Sequence, residues 1–518
     1  MNEIRILWAD DEIDLLKPQI IFLEQKGYKV EPVSNGHDAI DKCKTEHFDL
    51  VFLDENMPGI SGLETLAKIK AINVDLPVVM ITKSEEENIM EEAIGSQIAD
   101  YLIKPVRPNQ ILMSIKKLTE NKKLVSEKTA TSYRQEFQNI MMELNNVNTH
   151  QEWAELYRKL IFWELELDKA DNAEMKSILD MQKSEANKEF FKFISKNYLK
   201  WLKEQGKDST PTLSYSLFKD KVFPALEPGV PTFFLLVDNL RYDHFKMIET
   251  LIKDDFRKVS EDYFYSILPT TTQYSRNAIF SGLMPLDIDR KYPEKWFYDD
   301  ENAGKNLHEE FFLNEQFKRN NVNLKTSYTK ITNHHAGKVL EDTILNLMNN
   351  DFNVIVYNFV DMLSHARTEM EVLKELASNE AAYRSLTLSW FDHSPLLNAI
   401  KKLKEKRVRI IITSDHGTMR VQNPSKIIGD KATTTNLRYK TGKNLNFNEK
   451  EVFYIKNPEE ALLPKSNLSS SYVFAKEDYY FCYPNNYNHY VNYYRNTFQH
   501  GGVSIEEVIV PFAIFENK

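Results

Sequence analysis

Residues 407–417 read RVRIIITSDHG, and the way this run ends decides how the C-terminal half of the chain is read. The stretch from Val408 to Thr413 is β-branched and of strand length. It closes on an acid, Asp415, an imidazole, His416, and then Gly417, which gives the backbone room to turn. The same ending recurs. TFFLLVDN closes on Asp238, and FNVIVYNFVD closes on Asp361 with His365 four residues later in DMLSH. TFQHGG sets His500 just before the last apolar run, EEVIVPFAIF. With YFYSILPT between them, these runs predict an α/β domain that gathers three Asp and three His at strand ends. Mixed Asp and His ligation suits Zn2+ or Mn2+. Asp361 and His365 can meet one ion if a helical turn follows the strand. Singly, Asp415–His416–Gly417 reads as a turn and His365 as a buried neutral imidazole; the six together favour an enzyme.

Such a metal set gives a purpose to PTTTQYSRNAIFSG, residues 269–282. A threonine hydroxyl is a poor nucleophile at neutral pH unless a base or a metal helps remove its proton. Thr270, Thr271 and Thr272 are all candidates on chemistry alone, and a polar loop is the plain alternative.

From about residue 220 onward the constellation resembles the alkaline phosphatase superfamily, in its PglZ branch. The resemblance implies two Zn2+ ions and a Ser or Thr nucleophile touching one of them. Carried over, Asp361, His365 and His500 hold one ion, while Asp238, Asp415 and His416 hold the other beside the nucleophile. Relatives with a threonine nucleophile place it ten residues before a glycine that closes the next helix. Gly282 stands ten after Thr272, which selects Thr272, with Thr271 the nearest competitor. QYSRNAIFSG departs from the better-known Thr-Phe-Pro-Asn version, so Ser275, Arg276 and Asn277 are only candidates for phosphate contact.

Residues 1–118 form a different α/β pattern. RILWA, DLVFLD, LPVVMIT and ADYLIKP are strand-like runs separated by amphipathic stretches, which predicts a doubly wound parallel sheet. Asp10 and Asp11 follow the first strand and Asp54 ends the next; acids at the carboxyl ends of parallel strands converge on one crevice. Three acids there suit a hard cation such as Mg2+. Thr82 ends VVMIT, and Lys104 precedes Pro105, placing a hydroxyl and an ammonium at the same edge. The segment resembles a two-component receiver domain. That resemblance implies Asp10, Asp11, Asp54 and the carbonyl of Asn56 around Mg2+, Asp54 as phosphoacceptor, and Thr82, Tyr101 and Lys104 as the switch. It also implies a sensor histidine kinase as partner and a phosphorylation-dependent homodimer.

Between Pro108 and Gly206 there is no proline or glycine, and apolar residues such as Trp153, Leu156, Tyr157, Leu160 and Trp163 recur at helical spacing. A helical bundle over 119–206 is expected, with DSTPTL and FPALEPGVP marking entry to the third block, 207–518. The order receiver, helical linker, PglZ is similar to PorX-type response regulators, associated with type IX secretion. LDENMPG, LVDNLRYD, TSDHGTMRV and FQHGGVSIEE carry that match.

Composition sets bounds on partners. With 518 residues, 42% hydrophobic, the chain has ample core, and a net charge of −10 argues against a broad basic surface for duplex DNA. Without a helix-turn-helix signature, direct promoter binding has least support. Cys43 and Cys482, the only two cysteines, offer neither a disulfide framework nor a thiolate site. The acidic start MNEIRILWADDE shows no signal peptide, and no apolar run is long enough to insert in a membrane, so a cytoplasmic protein is expected.

Two stretches bear on the substrate. Residues 472–498 carry eight tyrosines, faces on which nucleobases can stack, though mutual packing is at least as good a reading. Arg420, Lys426, Lys431, Arg438, Lys440 and Lys443 can line a phosphate path, against a solvated surface as the default. Both lean towards a short oligonucleotide substrate, and the PorX resemblance implies hydrolysis of cyclic or linear ones. The competing reading is a PglZ fold that docks a sigma factor or a secretion component. His334 and His335 read as loop residues.

Overall fold

The computed structural model describes residues 4–518 apart from 74–75, 84–97, 171, 205, 208, 299–305, 371–373, 375–376, 378 and 431–432. The chain forms two compact units, Met1–Gln135 with Lys169–Ala173, and Glu136–Asp168 with Glu174–Lys518.

The first unit holds β1 (Arg5–Ala9), β2 (Lys29–Val33), β3 (Leu50–Asp54), β4 (Val78–Thr82) and β5 (Asp100–Ile103). They form one parallel sheet in the order β2-β1-β3-β4-β5. The central strands read as unbroken apolar runs because both faces are covered. Leu7, Ala9 and Leu53 point to one core with Leu66 and Ile69. Ile6, Trp8 and Phe52 point to the other with Ile111 and Ile115. The order reverses between β1 and β3, so Asp10 and Asp54 leave the sheet at its switch point.

In the second unit, β6 (Thr232–Val237), β7 (Phe256–Tyr265), β8 (Thr326–Ile331), β9 (Phe352–Tyr357), β10 (Arg409–Thr413) and the C-terminal strand Ile509–Asn517 make a six-stranded sheet. The order is β7, C-terminal strand, β10, β6, β9, β8. The last four run parallel, and the C-terminal strand is antiparallel to both its neighbours. Register pairs Thr413 with Leu236, so Asp415 and Asp238, each two residues further on, emerge side by side. Two small three-stranded sheets lie within 423–482.

The helical block does not stand as a body of its own. The division between the units falls inside the helix Asn121–Asn146, and most of the helices His150–Lys169 and Ala173–Lys203 belongs with the six-stranded sheet. Their apolar stripe is the reason: Tyr157 meets Tyr242 at 5.7 Å and Trp201 meets Tyr265 at 5.5 Å between ring centres. Buried charge adds to it. Arg384 pairs with Glu164 at 2.7 Å and Asp243 at 3.1 Å. Without proline or glycine, the break before His150 comes from a reciprocal cap: Glu152 N donates to Thr149 Oγ1, and Thr149 N donates back to Glu152 Oε2. Asn333 likewise caps the helix His334–Thr343, so His334 and His335 open a helix rather than lie in a loop. No helix among the described residues is long and apolar enough to cross a membrane.

Candidate active site

Asp238 follows β6 directly, Asp415 stands two residues past the end of β10, and His416 comes next in the turn. Their ligand atoms, one from each residue, all lie within 4.8 Å of one another, and all three side chains are buried. His416 Nδ1 donates to the Gly417 carbonyl at 3.0 Å, which leaves the Nε2 lone pair facing the acids. Gly417 is required here, because a Cβ would lie 1.9 Å from the Glu506 carbonyl oxygen.

Thr272 opens a helical segment, Thr272–Arg276, that continues through Asn277–Ser281 and ends at Gly282 with φ 63°. Its hydroxyl donates to Asp238 Oδ1 at 3.3 Å and stands 3.2 Å from His416 Nε2. Of the three adjacent threonines, only Thr272 has a hydroxyl at the acids. The Thr271 hydroxyl is buried without a hydrogen bond. Thr270 Oγ1 donates to the Gly502 carbonyl and accepts from Gly501 N, each at 3.0 Å, which ties this loop to the one bearing His500.

Whether these atoms suit an ion is a question of spacing. At ~2.0–2.1 Å per bond, a tetrahedral Zn2+ holds its ligand atoms about 3.3 Å apart. His416 Nε2 stands 3.8 Å from Asp238 Oδ1 and 3.9 Å from Asp415 Oδ2, with Thr272 at the two shorter edges. Two carboxylate oxygens, a neutral imidazole and a hydroxyl at this spacing fit a small four-coordinate ion. Burial pushes the His416 imidazole down to about 4, which keeps it neutral as a ligand must be. Burial also raises the Asp238 carboxyl well above its usual range, against the pull of Arg276.

Asp361 and His500 come together beside this group. His500 Nε2 lies 3.5 Å from Asp361 Oδ1, and its Nδ1 donates to the Thr270 carbonyl at 3.3 Å. Burial lowers the His500 pKa, but Asp361 outweighs it and the net shift is upward. The His416 and His500 rings stack at 4.4 Å. β9 ends at Tyr357, so Asp361 sits in the first turn of the helix Phe359–Glu369 rather than at the strand end. His365 is one turn further along that helix; its side chain lies outside the described residues, as does Lys431 altogether.

Four expected substrate contacts point elsewhere. Ser275 bonds Ser266 Oγ at 2.7 Å within the core, and Asn277 Oδ1 accepts from Asn306 Nδ2 at 3.4 Å. Arg276 is fully buried against Asp238 and Asp415. Arg438 is fully buried too: its Nε donates to Glu507 Oε1 at 3.1 Å, and Glu507 in turn accepts Gly502 N at 2.9 Å. In each, a partner within the protein occupies the polar group that was a candidate for phosphate contact, as buried polar groups require. Tyr472 and Tyr480 are core residues whose hydroxyls donate to the Pro464 and Val491 carbonyls. Tyr490 and Tyr493 remain exposed on the helix Tyr487–Tyr494. Sequence reading missed Asn239, held at φ 64°, whose N donates to Asp415 Oδ1 at 3.2 Å and whose Nδ2 donates to Asp361 Oδ1 at 3.4 Å. It also missed Glu309, the partner of Arg276.

In the first unit, the carboxylates of Asp10, Asp11 and Asp54 lie within 4.8 Å of one another. Lys104 Nζ pairs with Asp10 at 2.8 Å and with Asp54 at 3.0 Å. Burial raises the Asp54 carboxyl, with Lys104 opposing. Thr82 is buried at the end of β4, Asn56 is exposed in the loop after β3, and Tyr101 is half-buried against the core. A cleft of about 380 Å³, lined in part by Asp10, Lys83 and Lys104, opens beside them.

Residues 217–515 match the family model of the BREX system PglZ alkaline phosphatase-like domain. The chain belongs to the PglZ family. Residues 6–116 match the response regulator receiver domain and residues 123–202 the PorX response regulator linker domain. Receiver, linker and PglZ domain in one chain is the PorX-type architecture. The transcriptional regulatory protein ResD of Bacillus subtilis is 32% identical over 117 residues, 23% of this chain and 48% of ResD. ZraR of Klebsiella oxytoca is 33% identical over 114 residues, 22% of this chain and 26% of its own. The chain thus spans about half or less of these relatives. Among solved structures, a CheY-like receiver of Methanospirillum hungatei is 27% identical, covering 23% of this chain and 96% of its own, with a TM-score of 0.23. TrrA of Thermotoga maritima is 30% identical, covering 22% and 98%, with a TM-score of 0.21. The PglZ match covers the part of the second unit that carries the six-stranded sheet, an alkaline phosphatase-like domain.

Proposed function

We propose that the chain is a phosphorylation-controlled response regulator whose PglZ domain is a zinc-dependent phosphodiesterase. It hydrolyses short cyclic or linear oligonucleotides through Thr272 and regulates type IX secretion. The observation that carries this reading is the Thr272 hydroxyl, 3.3 Å from Asp238 and 3.2 Å from His416, inside a donor set spaced for a four-coordinate ion.

Asp238, Asp415, His416 and Thr272 would hold one Zn2+, and Asp361, His365 and His500 the second. When bound, these ions supply Lewis acidity that lowers the pKa of the threonine hydroxyl and neutralises phosphoryl charge. Asp238 accepts the hydrogen bond of the Thr272 hydroxyl and so aims Oγ1. That oxygen forms a bond to phosphorus while the bond from phosphorus to the leaving ribose oxygen breaks; the leaving oxygen takes up a proton to balance the one the threonine gives up, and a nucleotidyl-threonine diester results. Water then attacks phosphorus, the bond to Oγ1 breaks, and the nucleotide leaves as a phosphomonoester with the threonine restored. Two in-line displacements give net retention at phosphorus.

In the receiver, Asp10, Asp11, Asp54 and the Asn56 carbonyl would hold Mg2+, and Asp54 takes the phosphoryl group. Lys104 and Thr82 are placed at that edge to bind the added oxygens, with Tyr101 as the switch aromatic; the change biases the chain towards a dimer. For the oligonucleotide, support comes from the exposed rings of Tyr490 and Tyr493 and from the PorX-type architecture.

The test is hydrolysis of a chromogenic phosphodiester and its monoester analogue, with zinc supplied, by the full chain and by Thr272→Ala. The expected result is turnover of the diester that falls roughly 10³-fold or more in the variant. Zinc binding without turnover in the natural chain would move the reading to a docking role.

A further inference from the structure

Arg276 lies one helical turn after Thr272 in the same segment and has no exposure. Each edge of its guanidinium has a partner. One nitrogen pairs with Asp238 Oδ2, Nε donates to Asp415 Oδ2 at 3.0 Å, and the remaining nitrogen donates to Asn358 Oδ1 at 3.2 Å and lies 3.5 Å from Glu309 Oε1. Glu309 is itself buried, and its other oxygen takes the Tyr328 hydroxyl and Lys330 Nζ. The planar fork is thus fixed from behind as well as in front.

The consequence falls on the two carboxylates. Asp238 Oδ2 is taken, which leaves Oδ1, the atom facing Thr272 and His416. Asp415 Oδ1 accepts the backbone N–H groups of Asn239 at 3.2 Å and His416 at 3.1 Å, which leaves one lone pair of Oδ2. Asp415 cannot chelate through both oxygens, and Asp238 is turned to offer Oδ1, with Oδ2 held by the guanidinium. An ion placed here receives one oxygen from each, which completes four-coordinate Zn2+ but undersupplies Mn2+ or Mg2+, whose oxygen sites are octahedral.

We infer that Arg276, braced by Glu309, is a positioning residue that makes Asp238 a single-oxygen ligand, as the two backbone N–H groups make Asp415, and so selects a four-coordinate ion over a six-coordinate one. This rests on the metal-dependent reading above. Charge and geometry pull in opposite directions, which makes the inference sharp. A guanidinium repels any cation, so a spectator arginine would leave every divalent ion bound more tightly once removed. A positioning arginine would leave zinc bound more weakly.

The experiment measures Zn2+ and Mn2+ affinity of the full chain by competition with a chelating indicator, for Arg276→Lys, Arg276→Gln and Glu309→Gln. Lysine keeps the charge and loses the fork. In Arg276→Lys, one of the two zinc equivalents should weaken ~10–100-fold, the usual cost of losing a group that orients a ligand, while manganese changes far less. Glu309→Gln should move the same way by a smaller factor, and it keeps the test open if the arginine variants do not fold. With Co2+ in place of zinc, the intense visible bands of four-coordinate cobalt should fade in the variants. Zinc affinity unchanged or tighter in Arg276→Lys and Glu309→Gln, with the cobalt spectrum unaltered, would overturn the inference alone. A natural chain that binds no zinc would overturn it together with the function proposed above.

Discussion

Lys440 gives a direct measure of how far the basic run 420–443 is structural. It lies in the strand Tyr439–Gly442, almost without exposure, with Nζ donating to the Thr434 carbonyl at 2.8 Å and the Tyr483 ring 4.6 Å away. Burial lowers its pKa from 10.5 to about 7. An unfolded chain would bind that proton up to its ordinary pKa, whereas the folded chain gives it up three and a half units earlier. Between pH 7 and 10.5 the unfolded state therefore holds more protons, and stability rises with pH by about 1.4 kcal/mol per unit from this group. Below pH 7 the full penalty, about 5 kcal/mol, is present. Lys440→Met removes it and gives up one hydrogen bond worth about 1 kcal/mol. The variant should be more stable by about 3 kcal/mol at pH 7, with the advantage shrinking by 2–3 kcal/mol, roughly, between pH 7.5 and 9.5. The assay is urea unfolding at several pH values, followed by tryptophan fluorescence; five of the six tryptophans lie in the second unit. Parallel stability profiles for the two proteins would refute the reasoning, and a large loss of diester turnover in Lys440→Met would place the lysine on the substrate path after all.

Tyr198→Phe removes the acceptor of Leu268 N, a 2.9 Å bond that holds the loop leading to Thr272. The orphaned amide should cost about 1–3 kcal/mol in unfolding measurements, with diester turnover reduced in step. Arg384→Met removes one of two cationic partners from each of the buried carboxylates of Glu164 and Asp243, which keep Lys183 and Arg241, and should destabilise the second unit by about 1.5–3 kcal/mol on urea unfolding. A phosphoryl mimic with Mg2+ should double the mass of the full chain in light scattering, and Asp54→Asn should abolish the change.

The parts of the fold and site legible in the sequence are those written locally. β10 announces itself as a β-branched run and β6 as an unbroken aromatic and aliphatic one, and Asp238, Asp415 and His416 follow them so closely that strand-end chemistry could be read before any packing was known. Thr272 was singled out by the family resemblance, through its spacing to Gly282, and Gly282 does close that helix in the left-handed region, a local requirement. Caps were present as signals that went unread: Thr149 with Glu152, and Asn333 ahead of His334, are spaced as capping residues are. What could not be read is where charge is buried. Arg276, Arg438 and Lys440 look alike in a sequence, as long cations near a phosphate site, yet all three lie inside. Their burial depends on Glu309, Glu507 and the Thr434 carbonyl, and of these Glu309 and Glu507 lie 33 and 69 residues away along the chain. A cation's sequence neighbours tell whether it can reach an anion; only its distant neighbours tell whether that anion is a substrate phosphate or a carboxylate of the protein itself. At Arg276 the carboxylates are those of the candidate metal site, which turns a residue expected to read the substrate into one that, on the reading proposed above, shapes an ion's ligands.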